Sequence, residues 1–477
     1  MSEPPAGPSG DQSPQWEELL RSMFGADADE AMRELRERGM DPAAMAAAAG
    51  LPNDPQMLGQ VLGQVQRMLA ASGEGPVNWD VAHDVARQAA VAEGDPSLTT
   101  AQVRTATQAL SVAELWLDAA TDLPPAGGVA RAWSRSEWVE HTLPTWRALA
   151  EPVAASLSAA LAGALADHLP ENLGDGGLPG LAGPGGVIDP AQLMRQLGSA
   201  VFGMQVGQAA GTLSREVFGA TDIGLPLVSE PVTVLVPTNV AAFAEGLDAP
   251  VEEVRLFLAV REAAHARLFT HVAWLRGHLL AIVGAYASGI TIDVESLEEA
   301  VRSIDPTDPA ALQGALSGGV FGPHTTADQQ ADLLRLETAL ALVEGWVDEV
   351  TTAATLPHLP HATALREMIR RRRAAGGPAE QTFATLVGLE LRPRRSRDAA
   401  TLWAEITRAG GPDARDAVWG HPDLLPTTAD LDDPTGYAAR RTAAADEHAD
   451  IDRALAEILG EAPDGAVDDA PEDGGRT

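Results

Sequence analysis

The chain has 477 residues, long enough for two or three domains or one large domain with tails, and is 45% hydrophobic but only 4% aromatic. A formal charge of −35 disfavours nucleic acid and anionic membranes as partners, because both need a positive field. Every basic residue is Arg and Cys is absent, which excludes disulfides, thiolate metal ligands and Cys nucleophiles.

Residues 1–14 are polar and rich in Pro and Gly, and the composition predicts disorder. They hold no basic region followed by an apolar run, so no signal peptide is expected. No stretch of the chain approaches the roughly 20 uninterrupted apolar residues of a membrane span, which leaves the cytoplasm as the expected compartment. Residues 16–38 are helical by pattern, with Trp16, Leu19, Leu20 and Met23 on one side and Gly39 as the stop. A short helix is predicted over 55–71, followed by a linker at 72–76. Together, residues 1–78 read as a tail with short helices, 79–440 as the main domain and 441–477 as an acidic tail.

Within the main domain, Asn78 is placed to cap a helix over 79–92, and Thr99 or Thr100 to start another ending by 120. Helices over 136–143 and 145–168 follow, divided by Pro144. Trp116, Trp133, Trp138 and Trp146 are expected to fill gaps between helices. Residues 169–190 form a Gly/Pro-rich loop. The next helical stretch, 193–218, carries Gly198, Gly203, Gly207 and Gly211. Gly disfavours a helix interior, so this recurrence suggests close backbone packing against a neighbour. A phosphate loop is the weaker alternative, because no Gly-Lys-Ser/Thr ending is present.

Pro231-Val-Thr-Val-Leu-Val-Pro237 is the clearest strand, β-branched between prolines and therefore short or at an edge. A helix over 251–269 comes next, with Val254, Phe257, Leu258, Val260, Ala264 and Leu268 keeping one side buried. Residues 270–288 continue it or form a second helix, and further helices are predicted over 294–304, 326–351 and 363–375. Residues 366–397 hold nine Arg and three Glu. A nucleic-acid patch there is weaker than a solvated helix face in an acidic protein. From Asp446 onward there are eleven acids and two Arg, with one short helix at 451–459.

The chemistry centres on Arg261-Glu-Ala-Ala-His265. Positions 261 and 265 lie one turn apart on one helix face. With His at 261, the run would be the zinc-protease pattern of two His ligands with a Glu base between them. Arg261 is permanently protonated and has no lone pair for a metal. A later helix offers Glu344. His358 and His361, and His271 and His278, supply no substitute ligand pair.

The run Arg261-Glu-Ala-Ala-His-Ala-Arg-Leu-Phe-Thr-His-Val-Ala-Trp-Leu-Arg276 resembles the zincin-like metallopeptidase type 2 family. This is an actinobacterial-type group of candidate hydrolases, with a sister branch associated with coenzyme-biosynthesis genes. Supporting matches are Gly207-Gln-Ala-Ala-Gly-Thr-Leu-Ser214, Pro237-Thr-Asn239, Val343-Glu-Gly-Trp346, Arg371-Arg-Arg373, Gly388-Leu-Glu-Leu391 and Leu425-Pro-Thr427. The resemblance runs from about Trp79 to Tyr437. It implies a mainly α, zincin-like fold with a small β-sheet beside the active-site helix. It also implies zinc as cofactor, held by His265 and Glu344, with Glu262 as general base. Two departures stand out: Arg261 replaces the first zinc His, and Trp346 replaces a His beside the third ligand.

Two functions therefore remain. One is a non-catalytic or metal-poor relative that binds a peptide or protein, with Arg261 as a charge substitute at the first ligand position. The other is an active metallohydrolase or peptidase using His265, Glu344 and Glu262. If Arg261 stands in for the metal, it should pair with Glu344, with His265 hydrogen-bonded nearby.

Overall fold

The computed structural model describes residues 75–168, 182–183, 186–187, 190–288, 326–374 and 395–459. The tail at 1–14, the helices at 16–38, 55–71 and 294–304, and the end at 463–477 lie outside the described residues.

The main domain is built from helices whose starts are written in side chains. Asn78 caps α1 (Trp79–Val91), accepting a 3.1 Å bond from the Val81 N–H. Thr99 and Gln102 form a reciprocal capping box at α2 (Thr100–Leu117), satisfying N–H groups that the first turn leaves free. Strand β1 (Val129–Ala132) follows, then α3 (Arg135–His168). Pro144 and Pro152 lie inside α3, so the break expected at Pro144 is not an end. Pro removes one ladder bond and bends a helix, but buried Trp138, Val139, Trp146 and Leu149 on either side hold the two halves in one element. The Gly/Pro loop contains a small antiparallel pair, β2 (Ala182–Gly183) and β3 (Gly186–Val187).

Helix α4 (Pro190–Ser214) packs along α1, and its glycines explain how. A Cβ on Gly207 would lie 2.4 Å from the Ala82 carbonyl oxygen, and one on Gly211 would lie 2.5 Å from that of Ala86. The α4 backbone thus lies directly against the carbonyls of α1 and the Cβ atoms of Val85 and Ala89. Gly207→Val should therefore destabilise the domain by about 1–3 kcal/mol through overpacking, read as a lower urea midpoint. An unchanged midpoint would show that the helices can separate freely.

Strand β4 (Val232–Leu235) pairs in parallel with β1, Val129 opposite Val232 through Ala132 opposite Leu235. After β4 come α5 (Pro237–Ala244), α6 (Val251–His271) and α7 (Ala273–Ser288). The chain turns by 91° between α6 and α7, so of residues 270–288 the first two end α6 and 273–288 form a second helix. A capping box at Thr326 and Gln329 starts α8 (Ala327–Thr355). Then follow α9 (Ala362–Ala374), α10 (Ser396–Ala417), α11 (Thr428–Asp432) and α12 (Tyr437–Leu459). No single helix among the described residues is long and apolar enough to cross a membrane.

The organising element is α6. Its sequence pattern predicts one buried side, but residues 257–268 are buried all round. Helices α2, α5, α8 and α9 and strand β4 pack against it. The three-turn charged segment inside that enclosure must find partners within the protein, because an unpaired buried charge is strongly unfavourable. The expected core packing of the tryptophans also holds: Trp133, Trp138 and Trp146 are buried, and half-buried Trp116 stacks on His358 with ring centroids 4.4 Å apart.

Candidate functional site

Four buried ionisable side chains leave α6 in different directions. Arg267 points away from the others, bonding Glu114 and Asp118 at 2.7 Å each and the carbonyls of Glu114 and Leu123. It ties α6 to α2 and does not pair with Glu262.

Glu262 points to β4 and the turn after α4. Its Oε1 accepts from the N–H of Ala220 (2.9 Å) and of Val234 (3.3 Å). Its Oε2 accepts from the Thr221 N–H (3.2 Å) and the Thr221 hydroxyl (2.6 Å). A carboxylate offers about four lone-pair directions, and all are used. Gly219 makes this approach feasible, since a Cβ there would lie 2.3 Å from Oε2. Trp138 fixes the same turn by donating its indole N–H to the Gly219 carbonyl at 2.9 Å. Burial pushes the Glu262 pKa up to about 7, against the pull of its four donors. The same turn is tied to the end of β4, because the N–H of Val236 donates to the Phe218 carbonyl.

Arg261 and His265 reach Glu344 on α8. Nη2 of Arg261 donates to Oε2 of Glu344 at 2.9 Å. His265 places Nε2 3.1 Å from Oε1 of Glu344 and Nδ1 3.0 Å from the Arg261 carbonyl. Both ring nitrogens thus face acceptors, and each bond forms only if that nitrogen carries a hydrogen. A further partner comes from another helix. Arg373 of α9 reaches Oε1 of Glu344 through Nη1 at 2.7 Å, and its Nη2 donates to the Asp222 carbonyl. Burial alone would raise the Glu344 pKa. Arg373, His265 and Arg261 outweigh it and hold the carboxyl well below the usual carboxylate range.

The arginines of α9 correct the expectation of a solvated face. Arg366 and Arg370 both bond Asp348, at 2.7 and 2.5 Å. Arg372 donates to the Glu216 carbonyl at 2.6 Å and lies over the Phe218 ring. Only Arg371 has the expected exposed position, paired with Glu367. The missed signal was periodic: Glu344 and Asp348 lie one turn apart on α8, and Arg366, Arg370 and Arg373 are spaced to meet them from α9. Trp346, the second departure from the metal pattern, donates its indole N–H to Asp416 at 2.8 Å and is wholly buried.

A narrow recess opens beside this cluster, lined by Phe218, Gly219, Asp222, Leu258, Arg261, Glu262 and His265. The sequence-derived residues are therefore neighbours, but they form two units. Arg261, His265 and Glu344 meet directly, whereas Glu262 lines the same recess but is held by the 220–221 turn and β4.

A zinc ion needs lone pairs from neutral imidazoles or carboxylates. Here the first ligand position holds a guanidinium, and Nε2 of His265 is turned to a carboxylate oxygen. Both oxygens of Glu344 already carry cationic donors. Among the described residues, no group of three or more His, Asp or Glu is arranged to hold a metal. The donor set does not fit the ion.

A buried helix with this spacing, beside a small parallel sheet and opposite a glutamate from a later helix, defines a mainly helical, zincin-like protein. The chain belongs to the zincin-like metallopeptidase family, whose profile matches residues 77–438. Its fold is similar to the crystal structure of a candidate hydrolase with a novel fold from Chloroflexus aurantiacus, at a TM-score of 0.54. That match has 17% sequence identity and covers 77% of this chain and 99% of the other. No curated protein matches the sequence.

Proposed function

We propose that this protein is a non-catalytic member of the zincin-like metallopeptidase family that binds a peptide or protein segment at the former metal cleft. Arg261 supplies positive charge where the first ligand would stand. The observation that carries this reading is the buried 2.9 Å contact from Arg261 to Glu344. A guanidinium in that contact balances the carboxylate without any metal. The saturation of Glu262 supports the same reading, since a general base needs a free lone pair for the proton it takes. The narrow recess has apolar walls in Phe218 and Leu258 and polar groups in Arg261 and Asp222.

An active metallohydrolase with His265 and Glu344 as ligands is the second reading. One observation favours it: a Glu262 pKa near 7 is in the range useful to a general base. Metal analysis separates the two. Protein purified without chelator should contain well under one zinc per chain, and stoichiometric zinc would overturn the metal-free reading. If zinc is found, Glu262→Gln should abolish hydrolysis of unstructured peptides while leaving the metal bound; retained activity would remove Glu262 from the mechanism.

A further inference from the structure

We propose that α12 pairs antiparallel with α12 of a second copy of this chain, giving a dimer that carries two clefts. The surface lies outside the family's domain. The profile match ends at residue 438, and α12 runs from Tyr437 to Leu459.

A helix alone in water is marginal, and most helices in proteins are stabilised by packing one face on a neighbour. Tyr437 is buried at the start of α12, yet every described side chain from Thr442 to Leu455 is exposed. Ile451 and Leu455 are among them, each 49% exposed. Apolar side chains are stabilised by leaving water, so this face lacks its cover. The sequence also sets them in register. Ala444, His448, Ile451, Leu455 and Ile458 recur at steps of four and three, the spacing at which two helices interlock. Asp450 and Arg453 fall on the opposite face and pair with each other at 2.7 Å.

Charge selects the occupant and its direction. Arg440 and Arg441 begin the helix, and the acids of residues 446–452 follow. A helix is partly positive at its start and partly negative at its end, so this order is unfavourable in a lone helix. An antiparallel copy lays its Arg-bearing start beside the acidic stretch, and the two macrodipoles oppose. Parallel copies would do the reverse. Glu447 and Asp452 flank the apolar stripe on opposite sides, five residues apart, and parallel pairing sets those two positions against each other, acid on acid. It would also place the two acidic tails side by side. Each chain carries −35, which opposes association at a distance, so the pair is a reversible dimer.

Sedimentation equilibrium of the full-length chain at about 0.15 M salt should show reversible monomer–dimer exchange. Leu455→Asn keeps the charge and should weaken the dimer about 10-fold or more. Asp452→Arg sets a cation beside the Arg-bearing start of the other copy and should weaken it about 2–5-fold. Asp450→Arg makes the same charge change on the outer face and should not weaken it. All three positions are exposed, and melting curves should confirm that each variant keeps the fold. The absence of Cys allows direction to be read by cross-linking. Ala444→Cys mixed with Leu455→Cys should form a disulfide-linked dimer on oxidation, and neither variant should do so alone. A chain that stays monomeric up to about 0.1 mM would overturn the proposal and leave α12 to a different partner. So would a dimer that survives Leu455→Asn unchanged, one strengthened by Asp452→Arg beyond the effect of Asp450→Arg, or ready self-linking of Ala444→Cys.

Discussion

Glu344→Gln should be the most damaging single substitution at the site, lowering stability by about 3–5 kcal/mol, with the loss read from urea-denaturation midpoints. Gln keeps the shape of the side chain and removes its charge. Arg261, Arg373 and His265 would then converge on a neutral amide in a buried site. Two guanidiniums cannot shed their protons to relieve this, because a guanidinium stays protonated inside proteins. Arg261→Ala should cost less, about 3 kcal/mol, since Glu344 keeps Arg373 and His265. Removing Arg261 and Arg373 together should cost more than the two separate losses combined, because only then is the carboxylate left with the imidazole alone. The order is the test. If Arg261→Ala unfolds at lower urea than Glu344→Gln, then Glu344 is not the group on which these cations depend.

What the sequence revealed and concealed follows from how far each signal reaches along the chain. Asn78, Thr99 and Thr326 act within one helical turn, and each caps a helix where the local pattern places it. The glycines of α4 are spaced by turns of their own helix, so close packing was legible although the partner, α1, was not. The contact between Arg261 and Glu344 joins residues 83 apart, and it became readable only because the spacing of 261, 262 and 265 has a chemical precedent. Arg373 belongs to the run Arg371-Arg-Arg373 that carries the resemblance, but that run names no partner for it. A run of four arginines has the same composition whether it faces water or a buried carboxylate, and only the packing of α9 on α8 distinguishes these. Strand β1 was likewise invisible: four residues, Val129-Ala-Arg-Ala132, are too few to show a period, and their strand state comes from β4. The resemblance makes Glu262 a catalytic base, and Glu262 does line the recess. Its carboxylate is aimed by Ala220, Thr221 and Val234, whose backbone groups no local pattern reveals.

That direction gives Glu262 an effect on stability that can be measured without a substrate. Its pKa is about 7 in the folded protein, against an ordinary carboxyl value of 4.5. A raised folded-state pKa means that the folded protein binds this proton more tightly than the unfolded chain. The resulting stabilisation is fully present below about pH 4.5 and is lost as the pH climbs through 7. At roughly 1.4 kcal/mol per pKa unit, the loss is on the order of 3 kcal/mol. Glu344 works in the opposite direction: its depressed pKa contributes stability above the ordinary carboxyl range, which is lost on acidification. These two groups alone would place the stability maximum near pH 5, with a decline toward pH 8. Glu262→Gln isolates the alkaline limb. The amide oxygen can still accept from Ala220 and Val234, but its NH2 group meets the Thr221 N–H, leaving a buried donor unsatisfied at about 1–3 kcal/mol. At pH 5 the variant should therefore be clearly weaker than wild type. At pH 8 wild type bears the burial of a charged Glu262 and the variant does not, so the gap should close or reverse. Urea midpoints for both proteins at pH 5, 6, 7 and 8 would follow this convergence. Parallel profiles would show that the four donors keep Glu262 ionised throughout, and that its carboxylate is a fixed structural anion across this range.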